Sequence, residues 1–506
     1  MPKVRFNRLH RFIFQDTPAP AETRLDIEIA APPYIPWRWA MVFAALLAIF
    51  GFITWQSPLF LPQIPLTRQP VIEFSGLLLL AGVVFLFLAE LIVHSRSNRR
   101  LMLAVLLSGA LLRGMMFFST PILEVDFHRY FWDGAMTANG HNPYQYSPEQ
   151  ILRADPAVPE AVLVLGAAAE STLERINHAY LRTIYPPPVQ GAFALAYFLA
   201  PMQLNAWRAV LLLFDLATLL LLFLLLRYLQ LSPLWICIYW LNPLLLKEIF
   251  NSGHMDVLIF PFLLGAIYAS LRRRPYLAAG ALALAAGVKL WPALLLPLIL
   301  RPFWPNFRRI LGAGALFGSL TLLLLFPLLT AGLDPNAGLH AYSHRWQLND
   351  SFFRIVLVIA ENWLKLTGAP VWESQPLARK ITAFLVVAWT LGQLYRFPKA
   401  PRKIIGRHIL AIAALFLLSP TQFPWYSLWL LPLLALAPRK SLLLLTLVLP
   451  LYYLRYYLEG IGHTELFDRY FVWIEFLPVW YLLYREWRFS RQLNRLTPVE
   501  VFPHER

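Results

Sequence analysis

Long apolar runs recur along almost the whole chain, and they constrain the fold more than any other feature. They lie near residues 37–55, 74–94, 101–118, 206–227, 233–249, 254–271, 276–290, 292–303, 309–330, 377–395, 404–419, 425–437, 441–457 and 470–485. In lipid every backbone N–H and C=O must be paired within the protein, so repeated apolar runs fold as helices. The pattern predicts an all-α polytopic membrane protein with about 14 transmembrane helices. Several runs are shorter than the roughly 20 residues of a straight span. These are expected to be short or broken helices buried in protein. The composition agrees: 58% of the 506 residues are hydrophobic and only 14% are charged, too few charges for a soluble chain of this size.

The net charge of +16 does not imply nucleic acid, because the basic residues are scattered among short connections between apolar runs. That is the pattern of cytoplasmic loops under the positive-inside rule. Lys3, Arg5, Arg8 and Arg11 precede the first run, and Arg96, Arg99 and Arg100 follow the second. Further basic groups at 272–274, 308–309, 396–407, 439–440 and 485–495 fall at every second connection. Both termini are therefore expected in the cytoplasm. Residues 187–202 would invert this order if they spanned, so they are read as an amphipathic or re-entrant helix on the outer face. The division that results is a cytoplasmic segment 1–36, two additional spans in 37–100, a membrane module 101–485 and a basic cytoplasmic tail 486–506. Two long outer segments, 119–205 and 331–376, interrupt the module. Between 119 and 186 there are eight Asp/Glu against four Arg, the reverse of the cytoplasmic loops. No cleavable signal peptide is recognised, and the single cysteine, Cys237, excludes a disulfide framework and a cysteine metal site.

The unusual polar clusters gather in the outer segments. Glu124-Val-Asp126 follows an apolar run, and two carboxylates so close share a site, polarise one another or hold a divalent cation. A solvated loop start is the plainer reading. Against it stand the neighbours His128, Arg129, Trp132-Asp-Gly134 and Asn142-Pro-Tyr144, which combine turn formers with stacking faces suited to a sugar. Thr183-Ile-Tyr-Pro-Pro-Pro188 reads equally as a rigid helix entry or as a contact through Tyr185. Glu248-Ile-Phe-Asn-Ser-Gly-His-Met-Asp256 puts His254 and Asp256 between two runs, too few ligands for a metal but suited to a phosphate or to orienting a neighbour. In Gly287-Val-Lys-Leu-Trp-Pro292, Lys289 is the only charge of a long apolar stretch. It either snorkels or binds an anion where the proline breaks the helix. Tyr342-Ser-His-Arg-Trp-Gln-Leu-Asn-Asp350 and Ser419-Pro-Thr-Gln-Phe-Pro-Trp-Tyr426 mix aromatic and hydrogen-bonding groups, and each alone could be an interfacial anchor. Arg455, Glu459, His463 and Arg469 form a last polar group. No P-loop, GxGxxG, HExxH or nucleophile elbow is present.

In this order the motifs resemble the GT-C superfamily of polytopic glycosyltransferases. The likeness is nearest to bacterial polyprenyl-phosphate-mannose-dependent mannosyltransferases and more distant to the first mannosyltransferase of GPI-anchor synthesis. It covers roughly residues 100–460 and departs in the two spans that precede the first outer segment. The resemblance implies a polyprenyl-phosphate-sugar donor in the membrane lipid and a catalytic carboxylate in the first outer loop, where Glu124-Val-Asp126 fits a modified DxD-like signature.

The expected reaction is an inverting transfer of a hexose, with mannose implied by the resemblance, to a glycan or lipid acceptor on the non-cytoplasmic face. Asp126 is the expected general base and Glu124 its partner. Lys289, with Arg129, His254 and Arg345, is expected to stabilise the leaving phosphate. His128, Tyr130, Trp132, Asp133, Asn142, Tyr144, Tyr185, Asp256, Trp346, Asn349, Gln422, Trp425 and Tyr426 are expected to bind sugar or acceptor. Phosphate leaves readily, so no cofactor is required, and a Mg2+ or Mn2+ ion held by Glu124 and Asp126 is the alternative. The expected setting is a bacterial inner membrane, with the site facing the periplasm. The rivals are a flippase of lipid-linked glycans, which needs polar groups near the midplane, and a lipid-linked glycan ligase or polymerase, which should favour arginines over one acidic base.

Overall fold

A computed structural model describes residues 36–332 and 334–496. The predicted N-terminal segment, apart from Pro36, and residues 497–506 of the predicted tail lie outside the described residues. Among the described residues the chain is helical and forms no strand, only two isolated bridges, Arg182 with Ala337 and Leu348 with Thr421. The architecture is that of an all-α multi-pass membrane protein.

Among the described residues, six helices are long and apolar enough to cross a membrane: Pro36–Phe60, Val71–Val93, Arg99–Phe117, Leu204–Tyr228, Phe307–Thr330 and Lys440–Gly460. At about 1.5 Å rise per residue, 19 to 25 residues match a hydrocarbon core about 30 Å thick. A seventh candidate is the pair Pro243–Asn251 and Met255–Leu271, bent by 101° at its break. Of the remaining predicted runs, some give shorter or interrupted helices, such as Pro275–Val288 and Trp291–Phe303, while Ser374–Gly392, Pro401–Leu418 and Val472–Leu496 are long but carry charged residues. Prolines at the first turns of the shorter pieces explain the interruptions, since a proline cannot donate back to a preceding turn and so starts a new helix rather than continuing one. Hydropathy counts apolar residues without seeing whether the helix through them is continuous.

Two charges within the apolar bundle pair with each other. Arg113 donates to Asp215 at 2.7 Å, with side chains 2% and 0% exposed. Tyr239 donates to the same carboxylate at 2.6 Å, and the guanidinium also reaches the Trp240 carbonyl at 2.8 Å. Asp215, conspicuous in the sequence as a charge inside a span, is thus one half of an ion pair. Gly109 lets Trp240 approach, because a Cβ there would sit 2.0 Å from the indole Nε1. Replacing Asp215 by alanine strands a buried guanidinium and is expected to destabilise the fold by about 3–5 kcal/mol, read as a lowered unfolding midpoint in detergent.

Residues 187–202, predicted as a short helix of the first outer segment, contain the helix Pro187–Leu199. It lies against the helix Phe127–Ala138, and Gly134 is what lets the two cross, since a Cβ would meet the Phe193 carbonyl oxygen at 2.6 Å. One bridge joins the two long loop segments, where Arg182 N–H donates to the Asn336 carbonyl; the other ties the second of them to residues 419–422, where Leu348 N–H donates to the Pro420 carbonyl. Segments far apart in sequence thereby surround one cavity.

Candidate active site

The strand of chain leading to Glu124 is fastened by side chains from elsewhere. Asn251 donates to Ser119 Oγ at 2.9 Å and to the Thr120 carbonyl at 2.8 Å, and accepts from Ile122 N–H. Arg208, 1% exposed, donates to the carbonyls of Phe117, Ser119 and Asn251. Ser57 Oγ accepts from Thr120 N–H. The helix Phe127–Ala138 then begins, with Asp126 at its N-cap position. Asp126 already has helical backbone angles, and its side chain makes no capping bond.

The two carboxylates are therefore in different states. Glu124 Oε1 accepts from the N–H groups of Val125 and Asp126, and its Oε2 lies 3.0 Å from His254 Nε2. Burial alone would raise Glu124, but His254, Lys247 and the Asp126 N–H together hold it below its ordinary value. The Asp126 carboxylate has no hydrogen-bond partner among the described residues. Burial, and next the charge of Glu124, push it up to about 7, against the opposing pull of His254, Arg129 and Lys289. One acid of the pair is thus fixed and anionic, while the other is free and poised to exchange a proton near neutrality.

Both line a cavity of about 1290 Å3. Its wall also contains His128, Arg129, Tyr130, Tyr185, Asp256, Lys289, Arg345, Trp346, Trp425 and Tyr426, so most of the residues singled out in the sequence converge. Lys289 Nζ donates to Asp256 Oδ1 at 2.8 Å and stands 4.2 Å from the Tyr426 ring centre. Trp429 Nε1 donates to the same Asp256 oxygen. Arg129 donates to the Leu181 carbonyl at 3.0 Å. Burial, and then Arg175, hold His128 down to about 4, so its ring is neutral at pH 7.

Other predicted residues stand outside the cavity lining. His254 lies behind Glu124, stacked on Trp425 with ring centres 3.9 Å apart. Trp132 fills a small separate core with Met136, Ile151 and Leu173. Asp133 accepts from Thr183 and Gln190 and is raised to about 6, chiefly by burial. Asn142 closes a turn by accepting from Tyr144 N–H, and Tyr144 donates to the Tyr185 carbonyl. Across the contact between the second loop segment and residues 417–422, Asn349 donates to the Gln422 carbonyl and Ser351 donates to Gln422 Oε1.

Sequence reasoning did not single out several groups. Arg175, Tyr452 and Tyr456 share the cavity, as do Phe60, Leu61, Pro62, Leu66 and Gln69 from the connector between the first two described spans. That connector gives the additional N-terminal helices a place at the site. Lys247 and Glu248 are 2% and 0% exposed beside His254. Glu248 opens the 248–256 cluster without a role of its own, and the signal of the pair, two adjacent charges within the apolar run 233–249, lay at the end of that run. Among the described residues, no group of three or more His, Cys, Asp or Glu is arranged to hold a metal ion.

The model of glycosyltransferase family 87 matches residues 184–420. No curated protein and no solved structure matches the chain. The matched stretch carries Tyr185, His254, Asp256, Lys289 and the second loop segment, and it begins after Glu124 and Asp126. It supports glycosyltransferase activity and is consistent with an enzyme of the GT-C type.

Proposed function

We propose that the chain is an inverting hexosyltransferase that takes its sugar, mannose in our reading, from a polyprenyl-phosphate donor. The observation that carries this reading is the unpartnered Asp126 carboxylate in a large cavity shared with Lys289. Asp126 takes the proton of an acceptor hydroxyl. The hydroxyl oxygen forms the new bond to the anomeric carbon from the side opposite the phosphate. The bond from that carbon to the phosphate oxygen breaks, and its electron pair leaves with the phosphate. A β-linked donor therefore gives an α-linked product.

Lys289 faces the charge that develops on the leaving phosphate, with Arg129 and Arg345 on the same cavity wall. Tyr185, Tyr426, Trp425 and Trp346 offer faces for the donor sugar and for a glycan or lipid acceptor. A cation would bind most readily through Asp126, since Glu124 Oε1 already accepts two N–H groups and Oε2 faces His254. We place the reaction at the periplasmic face of a bacterial inner membrane, from the alternation of basic connections along the sequence.

The test is to incubate the purified protein and its native membranes with labelled polyprenyl-phosphate-mannose. The label is expected to leave the lipid and appear in a mannosylated product with inverted configuration. Label that stays on the lipid, while polyprenyl-phosphate-glucose is consumed, overturns mannose. Label that crosses the bilayer still attached to lipid overturns transfer.

The state of Asp126 predicts the pH dependence. The base must be ionised, and its folded value is raised to about 7, so kcat/KM is expected to fall as pH drops through about 7. Glu124→Gln removes the neighbouring negative charge and keeps an oxygen for the two backbone N–H groups. It is therefore expected to move the acid limb to lower pH. An unmoved limb in a folded Glu124→Gln protein would exclude Glu124 as the source of the shift.

A further inference from the structure

Behind the cavity wall lies a buried charged group that the transfer step does not use. It is carried by a π-helical turn, Leu246–Asn251, a rare geometry that recurs at functional sites. The turn directs Lys247 and Glu248 inward, where both are buried. Glu248 Oε1 accepts from the Tyr453 hydroxyl and lies 3.6 Å from Lys247 Nζ. Lys247 is itself held by Ser252 Oγ at 2.8 Å and by the face of Tyr453, 4.3 Å away. Glu248 Oε2 lies 3.2 Å from His254 Nε2, the same nitrogen that is 3.0 Å from Glu124 Oε2.

The separations are those of ion pairs, but Glu248 Oε2 and His254 Nε2 lack hydrogen-bond alignment. Stacking of His254 on Trp425, and of Trp425 on Phe423 at 4.2 Å, prevents the ring from turning aside. The His254 N–H donates to the Glu248 carbonyl, which ties the backbones of the two residues. Beyond the break, Gly253 adopts φ +81°, where a side chain would be strained, and its carbonyl accepts from Trp207. The turn is therefore braced on both sides.

We infer that Glu248 is a positioning residue for the carboxylate pair: with Lys247 and Tyr453 it holds a cationic His254 against Glu124, and Glu124 thereby stays ionised and fixed beside Asp126. Two cations, Lys247 and His254, then balance two anions, Glu248 and Glu124, and a balanced buried set avoids a stranded charge. The other titratable groups facing this set are Tyr130, Tyr452, Tyr456 and Asp126. The inference rests on Asp126 being the base, but its core, the shared His254 cation, can be measured without turnover.

The direct test is 15N-histidine NMR of the protein in detergent, with the His254 signal assigned by its loss in His254→Gln. In wild type that ring is expected to remain imidazolium at pH 8. In Glu248→Gln its titration midpoint is expected to fall, and in Glu248→Asp, which keeps the charge, to fall less. An unchanged midpoint in Glu248→Gln, or a neutral ring in wild type, overturns the inference. In the transfer assay Glu248→Gln is expected to lower kcat about 10- to 100-fold, by analogy with the loss seen when the hydrogen-bond partners that orient metal ligands are removed, with KM little changed. Its acid limb is expected to move to higher pH, because a weakened His254 cation no longer opposes the raised value of Asp126; a merely structural role would leave the limb in place. Should Asp126→Asn prove fully active, the reading of the base falls, while the NMR result still decides whether Glu248 holds His254.

Discussion

Asp126→Asn is expected to lower sugar transfer by about 10²- to 10⁴-fold, the contribution typical of a positioned general base. The carboxylate has no hydrogen-bond partner among the described residues, and its backbone belongs to the helix that follows. An amide of the same shape should therefore leave the helix start, the Glu124 bonds and the cavity in place. Wild-type monodispersity and unfolding midpoint, together with lost turnover, would locate the defect in chemistry. Donor affinity should change little, because the lost group contacts the acceptor proton. Full activity in the folded variant would sink the assignment of Asp126.

Lys289→Met is the second large effect, with an expected fall in kcat of about 10²- to 10³-fold for loss of one group that stabilises developing charge. The simple alternative, a lysine stretched toward water, does not describe this side chain. Its ammonium is held by Asp256 at 2.8 Å and by the ring of Tyr426, and its side chain is 24% exposed beside a 2% exposed partner. Removing it also leaves Asp256 with Trp429 alone, which is expected to cost about 3–5 kcal/mol of stability. The double variant Lys289→Met/Asp256→Asn separates the two consequences. It should recover the unfolding midpoint and remain inactive. Recovery of activity along with stability would show that Lys289 only neutralises Asp256.

Much of the site could be read from the chain because charge is rare in it. Lys289 stood out against an apolar stretch, and Glu124-Val-Asp126 stood out at the end of one. The residues that escaped notice did so for a related reason. Lys247 and Glu248 looked like the polar end of a run, since nothing local shows that a π-turn points them inward. Asp133, Asn142 and Tyr144 carry suitable chemistry, yet here they close turns and fasten the Thr183–Tyr185 stretch. A side chain that binds a neighbour and one that faces a cavity have the same letter in a sequence.

The sequence by itself determined the helical class, the membrane setting of its apolar helices and the clusters from which a glycosyl-transfer site could be assembled. These follow from local physics: apolar runs must satisfy their backbone as helices, and an uncompensated charge in such a setting needs a reason. Only the tertiary structure decided which helices are continuous, which clusters meet around one cavity, and how the two acids differ. Glu124 and His254 are 130 positions apart, so their contact depends on how the bent helix pair and the first loop segment are stapled together by Arg208 and Asn251. That contact fixes one carboxylate as an anion and leaves the other free, a distinction that depends on burial and distance and is therefore absent from the order of the residues.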